Sequence, residues 1–423
     1  MGRLVMVGLS HHAAPLEVRE RTAIDEAGWR SVAPSNVGTV LLSTCNRVEV
    51  YAWVDGRPAT TIRALQRSLA RAAGMDPAEL LPYLSSRSGA GALLHLVRVT
   101  SSLDSLVVGE EQIRGQVRQA LRAAEAAGPL PSALRGIFQR VGESARRVRG
   151  GTSLGKAPSI ASAGVAVACR ACGDDLNGQV AVVLGAGSMA RAATEALLAH
   201  GLRVRVLNRT PEHALRLMRS LGSSVEISSL DALSLSMTQA ALIVGATASR
   251  EPVLTTAIVQ SAQDKRGGQP LVLLDIALPR DIEPTVRDMP GVTLIDLDDL
   301  ERMCPVDGDI RKAEQQRAEA LAAEEADRLA EWLRFRAVTP AITELRTYAE
   351  SIRRTELQRS AARLRDLTPD QIAAVEALTS GIVNKLMHGP TVALRDAATR
   401  PGGLGRSHTR ILRVLRANRG RSV

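Results

Sequence analysis

The sequence predicts a multidomain α/β protein in three parts, and three patterns along its 423 residues indicate them. Residues 1–152 mix short alternating runs, such as LVMVGLS and RVEVYAWV, with stretches of helical spacing, which predicts an α+β domain. Residues 153–302 alternate strands with helices and predict a doubly wound, Rossmann-like parallel sheet. Residues 303–423 are dominated by helical stretches, which predicts a long linking helix and an all-α C-terminal domain.

The composition is that of a globular protein. Apolar residues make up 45% of the chain and charged residues 23%, and no apolar run reaches the length of a membrane span. The N-terminal run MGRLVMVGLSHH matches neither a secretion signal nor a myristoylation signal. We therefore expect a cytoplasmic protein without membrane contact.

The formal net charge is +10, and nearly all of the excess is arginine. A basic protein attracts polyanions, so the charge is compatible with binding of tRNA. An arginine-rich composition also follows from a GC-rich genome, and both explanations stay open. The arginines between Arg400 and Arg421 form either a solvated end or an RNA contact.

Four cysteines are too few for a disulfide framework, which agrees with a reducing compartment. Cys169 and Cys172 form a lone Cys-x-x-Cys, without the second pair or the histidine pair of a zinc site. We interpret them as small buried helix residues and predict no metal site.

The segment around GAGSMA predicts a dinucleotide-binding turn. A short apolar strand at 180–184 runs directly into it, and a helix follows. In this setting Gly185 permits the tight turn, Gly187 lets a pyrophosphate approach the backbone, and Ala190 lets the helix pack on the strand. The helix N-terminus offers amide groups to the phosphates. The predicted cofactor loop consists of Gly185, Ala186, Gly187, Ser188, Met189 and Ala190.

The next predicted strand ends in Asn208, Arg209 and Thr210, where an NAD enzyme usually has an acidic residue for the ribose 2′-hydroxyl. An arginine with neighbouring amide and hydroxyl groups suits a 2′-phosphate instead. The pattern therefore favours NADPH. The same residues also fit a helix cap before Pro211, and both interpretations can hold together.

The third part begins with a predicted helix over 309–336, which would be about 40 Å long at ~1.5 Å per residue. Its apolar stripe is thin, so we interpret it as a spacer. The helical stretches after Pro340 carry fuller apolar stripes, which are typical of self-association.

The run TVLLSTCNRVEVY at 39–51 places a cysteine between two apolar stretches. The thiolate of Cys45 can attack an activated carbonyl, and the resulting thioester accepts a hydride from a nicotinamide. The charge of Arg47 favours the thiolate and can hold a substrate carboxylate. The alternative is a buried structural cysteine, against which the polar neighbours Thr44 and Asn46 argue.

These residues carry a family resemblance. The run Ser43-Thr44-Cys45-Asn46-Arg47-x-Glu49-x-Tyr51 and the block HLVRVTSSLDSLVVGEEQIRGQV resemble the signatures of the glutamyl-tRNA reductase family. GLSHHAAP, NRT, DIALPRDIEP and NKLMHGP are also similar to that family and follow in the same order. The resemblance implies that glutamyl-tRNA and NADPH give glutamate-1-semialdehyde and free tRNA, the first step of tetrapyrrole synthesis.

The resemblance also implies roles for single residues. Cys45 would be the nucleophile, and His95 would assist proton transfer or thiolate formation. Arg47 would face the side-chain carboxylate of the glutamyl group. The other residues implied for substrate binding are Thr44, Asn46, Ser105, Glu110, Glu111, Gln112 and Gln116.

The family resemblance further implies three domains and a homodimer. The domains would be a catalytic, glutamyl-tRNA-binding domain (1–152), an NADPH-binding domain (153–302) and a dimerisation domain (303–423). We expect a hinge at Gly150-Gly151 or near Gly155. Hand-off of the reactive semialdehyde to glutamate-1-semialdehyde aminomutase is a plausible partnership.

Two residues depart from the family pattern. Ser102 stands where the family usually has a glycine, and Glu111 occupies a variable position.

Two other functions stay open. A small-molecule dehydrogenase of the shikimate dehydrogenase type fits the second part but gives Cys45 no purpose. A tRNA-binding protein without chemistry fits the charge but leaves the nucleotide loop unexplained.

Overall fold

The structure is a computed structural model that describes residues 2–105, 112–153, 159–173, 176–210, 225–249, 251–303 and 309–399, together with 212, 214, 215 and 221. Its internal contacts divide the described chain into two units, and the boundary falls between Ala326 and Asp327. The first unit contains two sheets, and the described part of the second unit is helical. The predicted fold class is confirmed.

The first sheet is antiparallel and four-stranded, with the order β2-β3-β1-β4. Its strands are β1 (Arg3–Ser10), β2 (Thr39–Thr44), β3 (Arg47–Val54) and β4 (Ser85–Ser88). The alternating runs around the cysteine thus form β2 and β3, as predicted. The helices of this part are α1 (Leu16–Thr22), α2 (Glu26–Val32), α3 (Pro58–Ala72), α4 (Pro77–Leu80), α5 (Ala90–Thr100), α6 (Gln112–Ala127) and α7 (Ser132–Gly150).

The helices cover both faces of this sheet. On one face, Leu65 and Leu69 of α3 belong to the same apolar cluster as Val50 of β3. On the other face, Tyr51 meets Phe138 of α7 edge-on, with ring centroids 5.4 Å apart. Side chains alternate between faces along a strand, so every second residue of β3 points toward α5 and α7.

The second sheet is parallel and six-stranded, with the order β10-β9-β8-β5-β6-β7. Its strands are β5 (Val180–Leu184), β6 (Arg203–Asn208), β7 (Val225–Ser229), β8 (Ala240–Gly245), β9 (Leu271–Asp275) and β10 (Val292–Ile295). The chain reverses direction across the sheet between β5 and β8, the switch point where doubly wound folds bind ligands. The helices of this domain are α8 (Ile160–Cys172), α9 (Ser188–Ala199), α10 (Leu233–Gln239), α11 (Thr256–Arg266) and α12 (Leu297–Met303).

Two apolar clusters cover the two faces of the parallel sheet. Val183 and Leu274 belong to one cluster, and Val182 and Leu273 belong to the other. Burial on both faces explains why these strands are continuous apolar runs. The Cys-x-x-Cys lies in α8, where Cys169 is buried, and burial raises the pKa of its thiol.

Two helices form the last part of the described chain, α13 (Asp309–Leu364) and α14 (Pro369–Thr399). The prediction that the spacer helix covers only 309–336 is wrong, because α13 runs on through Pro340 and is 56 residues long in total. A proline removes one backbone donor, and the helix-forming residues on both sides outweigh that loss. The described helices include none that is both long and apolar enough to span a membrane.

The N-terminal section of α13 packs along the first domain. Glu325 accepts two hydrogen bonds from Arg147 of α7, at 2.8 and 2.6 Å. A Cβ atom on Gly151, one of the predicted hinge residues, would lie 2.7 Å from Leu321 Cδ1. The predicted hinge near Gly155 lies outside the described residues.

Candidate active site

Cys45 lies at the tip of the hairpin that joins β2 to β3. Thr44 pairs with Arg47 in the ladder, so Cys45 and Asn46 form a two-residue loop. Thr44 Oγ1 accepts a hydrogen bond from the Asn46 amide at 3.3 Å, and the Asn46 carbonyl accepts one from the His11 amide at 2.9 Å. Asn46 is buried, whereas Cys45 is half-buried. The thiol therefore stands on a short, braced loop.

A buried ion network lies behind this loop. Arg47, Glu49 and Tyr51 alternate along β3 and share one face of the sheet. Glu49 Oε1 accepts a hydrogen bond from Arg47 Nη1 at 2.9 Å, and Glu49 Oε2 accepts one from the Tyr51 hydroxyl at 2.6 Å. Arg47 also donates to the Asp104 carboxylate at 2.8 Å and to the Asp104 carbonyl. With Arg47 only 1% exposed, two carboxylates take the place of water around its charge.

Both carboxyl groups are ionised inside the protein. Burial opposes ionisation of Glu49, but Arg47 and His95 together with two hydrogen bonds lower its pKa to about 2. Burial and the neighbouring Glu49 raise the pKa of Tyr51 well above its ordinary value. Burial opposes ionisation of Asp104, but the nearby His12, 3.6 Å away, and the charge of Arg47 lower its pKa.

The loop that carries Asp104 begins with a strained residue. Ser102 has a φ of +62°, the left-handed region that favours glycine. Its amide bonds the Val99 carbonyl at 3.0 Å, and the next amide, of Leu103, bonds the Arg98 carbonyl at 2.9 Å. These two bonds form a Schellman motif at the end of α5, with Ser102 in the position that glycine usually occupies. The departure from the family pattern therefore falls on the residue that turns the chain toward Asp104.

His95 of α5 belongs to the same network. Its Nε2 lies 2.8 Å from Glu49 Oε1, and its Nδ1 is buried without a hydrogen-bond partner among the described residues. The structure thus brings His95 and Arg47 together on one carboxylate oxygen. This contact differs from the expected role of His95, which was to act on the thiol.

The cysteine loop is tied to the nucleotide-binding domain through α1. Arg19 is buried and donates to the Cys45 carbonyl at 3.0 Å, to the Ala14 carbonyl at 3.1 Å and to Asp298 of α12 at 2.5 Å. The Cys45 side chain packs against the apolar cluster that joins Leu16 of α1 to one face of the parallel sheet. Cys45 therefore lies on the side of its domain that faces the nucleotide-binding domain.

A second ion pair joins the same two domains. Arg280 donates to both carboxylate oxygens of Glu20 of α1, at 2.8 and 2.6 Å. The adjacent Asp281 accepts hydrogen bonds from the amide and hydroxyl of Thr247, beyond β8. Asp275, at the end of β9, lies beside Asp281, and burial followed by the Asp281 charge raises its pKa to about 8. These groups fix the loop after β9 against α1.

The GAGSMA segment has room for a pyrophosphate. Gly185 has a φ of +107°, and a Cβ there would lie 2.5 Å from the Ala246 carbonyl oxygen, so only glycine fits the turn. A Cβ on Gly187, the N-cap of α9, would meet nothing within 4 Å. Ala190 is fully buried against the sheet. An open space above the amides of α9 fits the phosphates of a dinucleotide. The rest of the predicted loop is Ala186, Ser188 and Met189.

Two of the predicted cofactor-binding residues, Arg209 and Thr210, follow β6 directly. Asn208 donates from its side-chain amide to the Thr210 carbonyl at 2.8 Å, which braces the turn. Arg209 is exposed at the same end of the sheet as Gly185. The guanidinium is therefore available to a phosphate at the edge of the nucleotide site.

The remaining predicted substrate residues are only partly described. Ser105 is buried one position beyond Asp104, and Gln112 and Gln116 lie half-buried in the first turns of α6. Glu110 and Glu111 lie outside the described residues.

Four residues of the site were given no role in the sequence analysis: Arg19, Glu49, Tyr51 and Asp104. Glu49 and Tyr51 could have been found, because three polar residues at every second position of one strand must share a face. Arg19 and Asp104 gave no such signal, since their partners are distant in the chain.

One cluster among the described residues could hold a metal ion. The ligand atoms of His11, His12 and Glu301 lie within 4.8 Å of one another. His11 is buried, and burial followed by the charges of His12 and two arginines lowers its pKa to about 3. The imidazole is therefore neutral at physiological pH.

Comparison with known proteins assigns the chain to a family. The model of the glutamyl-tRNA reductase N-terminal domain matches residues 7–152, and that of the dimerisation domain matches residues 317–417. The reductase of Sorangium cellulosum is 38% identical over 94% of this chain and 79% of its own length. That of Syntrophotalea carbinolica is 37% identical over 93% of this chain and 90% of its own. The chain belongs to the glutamyl-tRNA reductase family.

This membership confirms the resemblance found in the sequence and favours it over the small-molecule alternative. The shikimate / quinate 5-dehydrogenase model matches residues 167–303, the nucleotide-binding domain alone. That domain is therefore of the dehydrogenase type, which indicates a pyridine nucleotide. The solved glutamyl-tRNA reductase of Methanopyrus kandleri is 31% identical, covers 93% of this chain and 98% of its own, and has a TM-score of 0.44.

Proposed function

We propose that this protein is a cytoplasmic enzyme that reduces glutamyl-tRNA with NADPH to glutamate-1-semialdehyde and releases the tRNA. The reaction opens tetrapyrrole synthesis from glutamate. The observation that carries the proposal is the position of Cys45, on a braced loop that packs against the nucleotide-binding domain. A thiol at that boundary can receive an acyl group from one side and present it to a cofactor on the other.

The first step is transfer of the glutamyl group to the enzyme. Cys45 Sγ attacks the ester carbonyl, a carbon–sulfur bond forms, and the bond to the tRNA 3′ oxygen breaks. The thiol proton ends on that oxygen, which leaves as the tRNA hydroxyl. When bound, NADPH supplies the hydride that converts the acyl group to the aldehyde and releases the thiolate.

Recognition of glutamate requires a fixed positive charge, and Arg47 supplies one. Its guanidinium is now shared between Glu49, which lies on the same strand, and Asp104, which lies on a loop. We expect the substrate carboxylate to take the place of Asp104, because Asp104 lies on a loop whereas Glu49 lies in a strand that is paired on both sides. Thr44, Asn46, Ser105, Glu110, Glu111, Gln112 and Gln116 would complete the pocket.

His95 acts in this proposal through Glu49. His95 Nε2 and Arg47 Nη1 both contact Glu49 Oε1, at 2.8 and 2.9 Å. His95 therefore helps to fix the carboxylate that holds the Arg47 guanidinium in place. Proton transfer at the thiol by His95 would require a rearrangement of this contact.

The proposed reaction also requires a cofactor and partners. Gly185, Gly187 and the α9 amides would hold the pyrophosphate of the cofactor. Arg209 would bind the 2′-phosphate, which NADPH carries and NADH lacks, and so would favour NADPH. The match to a dimerisation domain supports a homodimer. Hand-off of the aldehyde to glutamate-1-semialdehyde aminomutase would protect it from water.

A substrate comparison tests the proposal. The protein should oxidise NADPH when given glutamyl-tRNA, with one aldehyde formed per NADPH, and should ignore shikimate and free glutamate. Arg209→Gln should reduce the preference for NADPH over NADH without changing the product. Oxidation of NADPH by shikimate alone, or no oxidation with glutamyl-tRNA, would contradict the proposal.

A further inference from the structure

Helix α6 carries a row of arginines on its outer face. Arg114, Arg118 and Arg122 recur every four residues, so they lie on one side of the helix, and all three are exposed. At ~1.5 Å per residue, successive guanidinium groups begin about 6 Å apart along the axis. The row therefore extends over about 12 Å of the surface. We call it the α6 arginine row.

The row has no carboxylate partner in the part of the chain that the structure describes. Across the described residues, none of its three guanidinium groups forms a hydrogen bond or an ion pair. Some other exposed helix arginines are neutralised locally, as Arg191 is by Glu195 four residues later. The one acidic residue of α6, Glu125, pairs instead with Arg135 of α7 at 2.8 Å. Among the described residues, the row is thus a strip of three positive charges without an acidic partner.

The N-terminal end of the α6 arginine row lies nearest to the cysteine loop. Helix α6 packs along β2, and the chain just after α6 lies beside Gly38, the residue before β2 begins. A Cβ on Gly38 would lie 2.5 Å from Pro131 Cδ. The C-terminal end of α6 therefore lies at the start of β2, and its N-terminal end lies toward Thr44, next to Cys45. From Arg122 to Arg114, the row advances toward the nucleophile.

We propose that the α6 arginine row binds the phosphate backbone of the tRNA acceptor stem. This inference rests on the proposed function, which places the 3′ end of the tRNA at Cys45. The stem adjoining that end must cross the neighbouring surface, and unpaired arginines in line bind a polyanion by releasing its counterions. Double-stranded RNA is recognised largely through its backbone and shape, so a row without base-reading residues suffices.

The domain contains a matched control. Arg63, Arg67 and Arg71 of α3 have the same spacing and are also exposed. Helix α3 packs on the opposite face of the sheet from Arg47 and Tyr51. A triple substitution in α3 removes three positive charges, as the triple substitution in α6 does. The two variants therefore have the same net charge.

The experiment compares Arg114→Gln/Arg118→Gln/Arg122→Gln with Arg63→Gln/Arg67→Gln/Arg71→Gln and the wild type. Glutamine keeps the helix propensity of arginine, and loss of an unpaired surface charge leaves stability nearly unchanged. The α6 variant should raise KM for glutamyl-tRNA roughly tenfold at low salt with kcat unchanged, and reduce the salt slope of log KM by about 2. The α3 variant should behave as the wild type.

A truncated substrate separates this inference from the proposed function. All three proteins should acylate Cys45 equally well from 2′(3′)-O-glutamyl-adenosine, which has no stem. An α6 variant with wild-type KM and salt slope, or an α3 variant with the same defect, would overturn the inference while the function stands. A wild type that is inactive on both substrates would overturn the proposed function and the inference together.

Discussion

At the scale of single residues, the site depends on how Arg47 is shared. Its guanidinium neutralises Glu49 on the same strand and Asp104 on the neighbouring loop, and all three groups are largely buried. Removing one partner of such a group leaves a buried charge uncompensated, at a cost of about 3–5 kcal/mol. The network therefore stabilises the first domain. It also holds in a fixed position the positive charge of Arg47, which recognition of glutamate requires.

The ionised carboxylates make this domain sensitive to acid. The folded-state pKa of Glu49 is lowered from an ordinary 4.5 to about 2, so its contribution is present above about pH 4.5 and lost as the pH falls toward 2. This shift corresponds to about 3 kcal/mol, and Asp104 shifts in the same direction. Urea unfolding followed by tryptophan fluorescence should show this loss, because two of the three tryptophans, Trp29 and Trp53, lie in this domain. Glu49→Gln should be less stable at pH 7 with a shallower acid dependence; equal acid dependence would contradict the role of Glu49.

Ser102 offers a prediction in the opposite direction. Its positive φ costs a non-glycine residue about 1–2 kcal/mol, and the Schellman motif places that conformation at Ser102. Ser102→Gly should therefore raise the free energy of unfolding by about 1 kcal/mol, less the extra entropy of glycine in the unfolded chain. Chemical denaturation measures it. A destabilised Ser102→Gly protein would show that the buried hydroxyl contributes more than the strain costs.

At the scale of elements, α1 joins the two domains of the first unit. Arg19 links the Cys45 carbonyl to Asp298, and Glu20 holds Arg280. Both links run between the cysteine domain and the nucleotide-binding domain, so they fix the orientation in which the thioester would meet the cofactor. Gly151, by contrast, packs against Leu321, which leaves Gly150 as the freer of the two predicted hinge residues.

Breaking the α1 contact should separate the two chemical steps. Asp298→Asn weakens a partly exposed ion pair by about 1 kcal/mol, which corresponds to a roughly fivefold slower reduction step. Acylation should be unchanged, because the bonds from Arg19 to the cysteine loop remain. Single-turnover assays with and without NADPH resolve the steps. The control is Glu79→Gln. It breaks the exposed ion pair between Glu79 and Arg21, which is also a residue of α1, and leaves the contacts with the nucleotide-binding domain intact. Equal slowing of both steps by Asp298→Asn would contradict the orienting role.

Prediction from sequence succeeded where a pattern is local. The apolar strands β5, β8 and β9 and the hairpin around Cys45 follow from runs and alternation within a few residues. Strand β7 was missed, because VEISS is half polar and lies at the sheet edge. The partners of Arg47 could not be predicted in full, since Asp104 is separated from it by 57 positions in the chain. The assignment of the pocket residues and the domain boundaries remain predictions.

At the scale of the whole molecule, the second unit leaves an apolar face exposed. Leu378, Ile382 and Leu386 recur every four residues on one side of α14 and are each about half exposed or more, at 65%, 49% and 64%. A contiguous apolar face of this kind is typical of an interface, and the match to a dimerisation domain supports a second copy as its partner.

A charge on that face should disrupt the dimer. Ile382→Glu would place a carboxylate in a desolvated interface, a cost of several kcal/mol. Light scattering during size-exclusion chromatography should then report a monomer where the wild type is a dimer. Asn384→Glu adds the same charge on another side of the helix and should remain dimeric. Dimeric Ile382→Glu would show that the interface lies elsewhere.

The measurement that tests the central claim most directly is a covalent trap. The protein is mixed with tRNA that carries radiolabelled glutamate, NADPH is omitted, and acid-quenched samples are separated on a denaturing gel beside Cys45→Ser. We expect label on the wild type, none on Cys45→Ser, and loss of the label when NADPH is added. Label that persists on Cys45→Ser, or aldehyde formation by that variant, would contradict a thioester at Cys45.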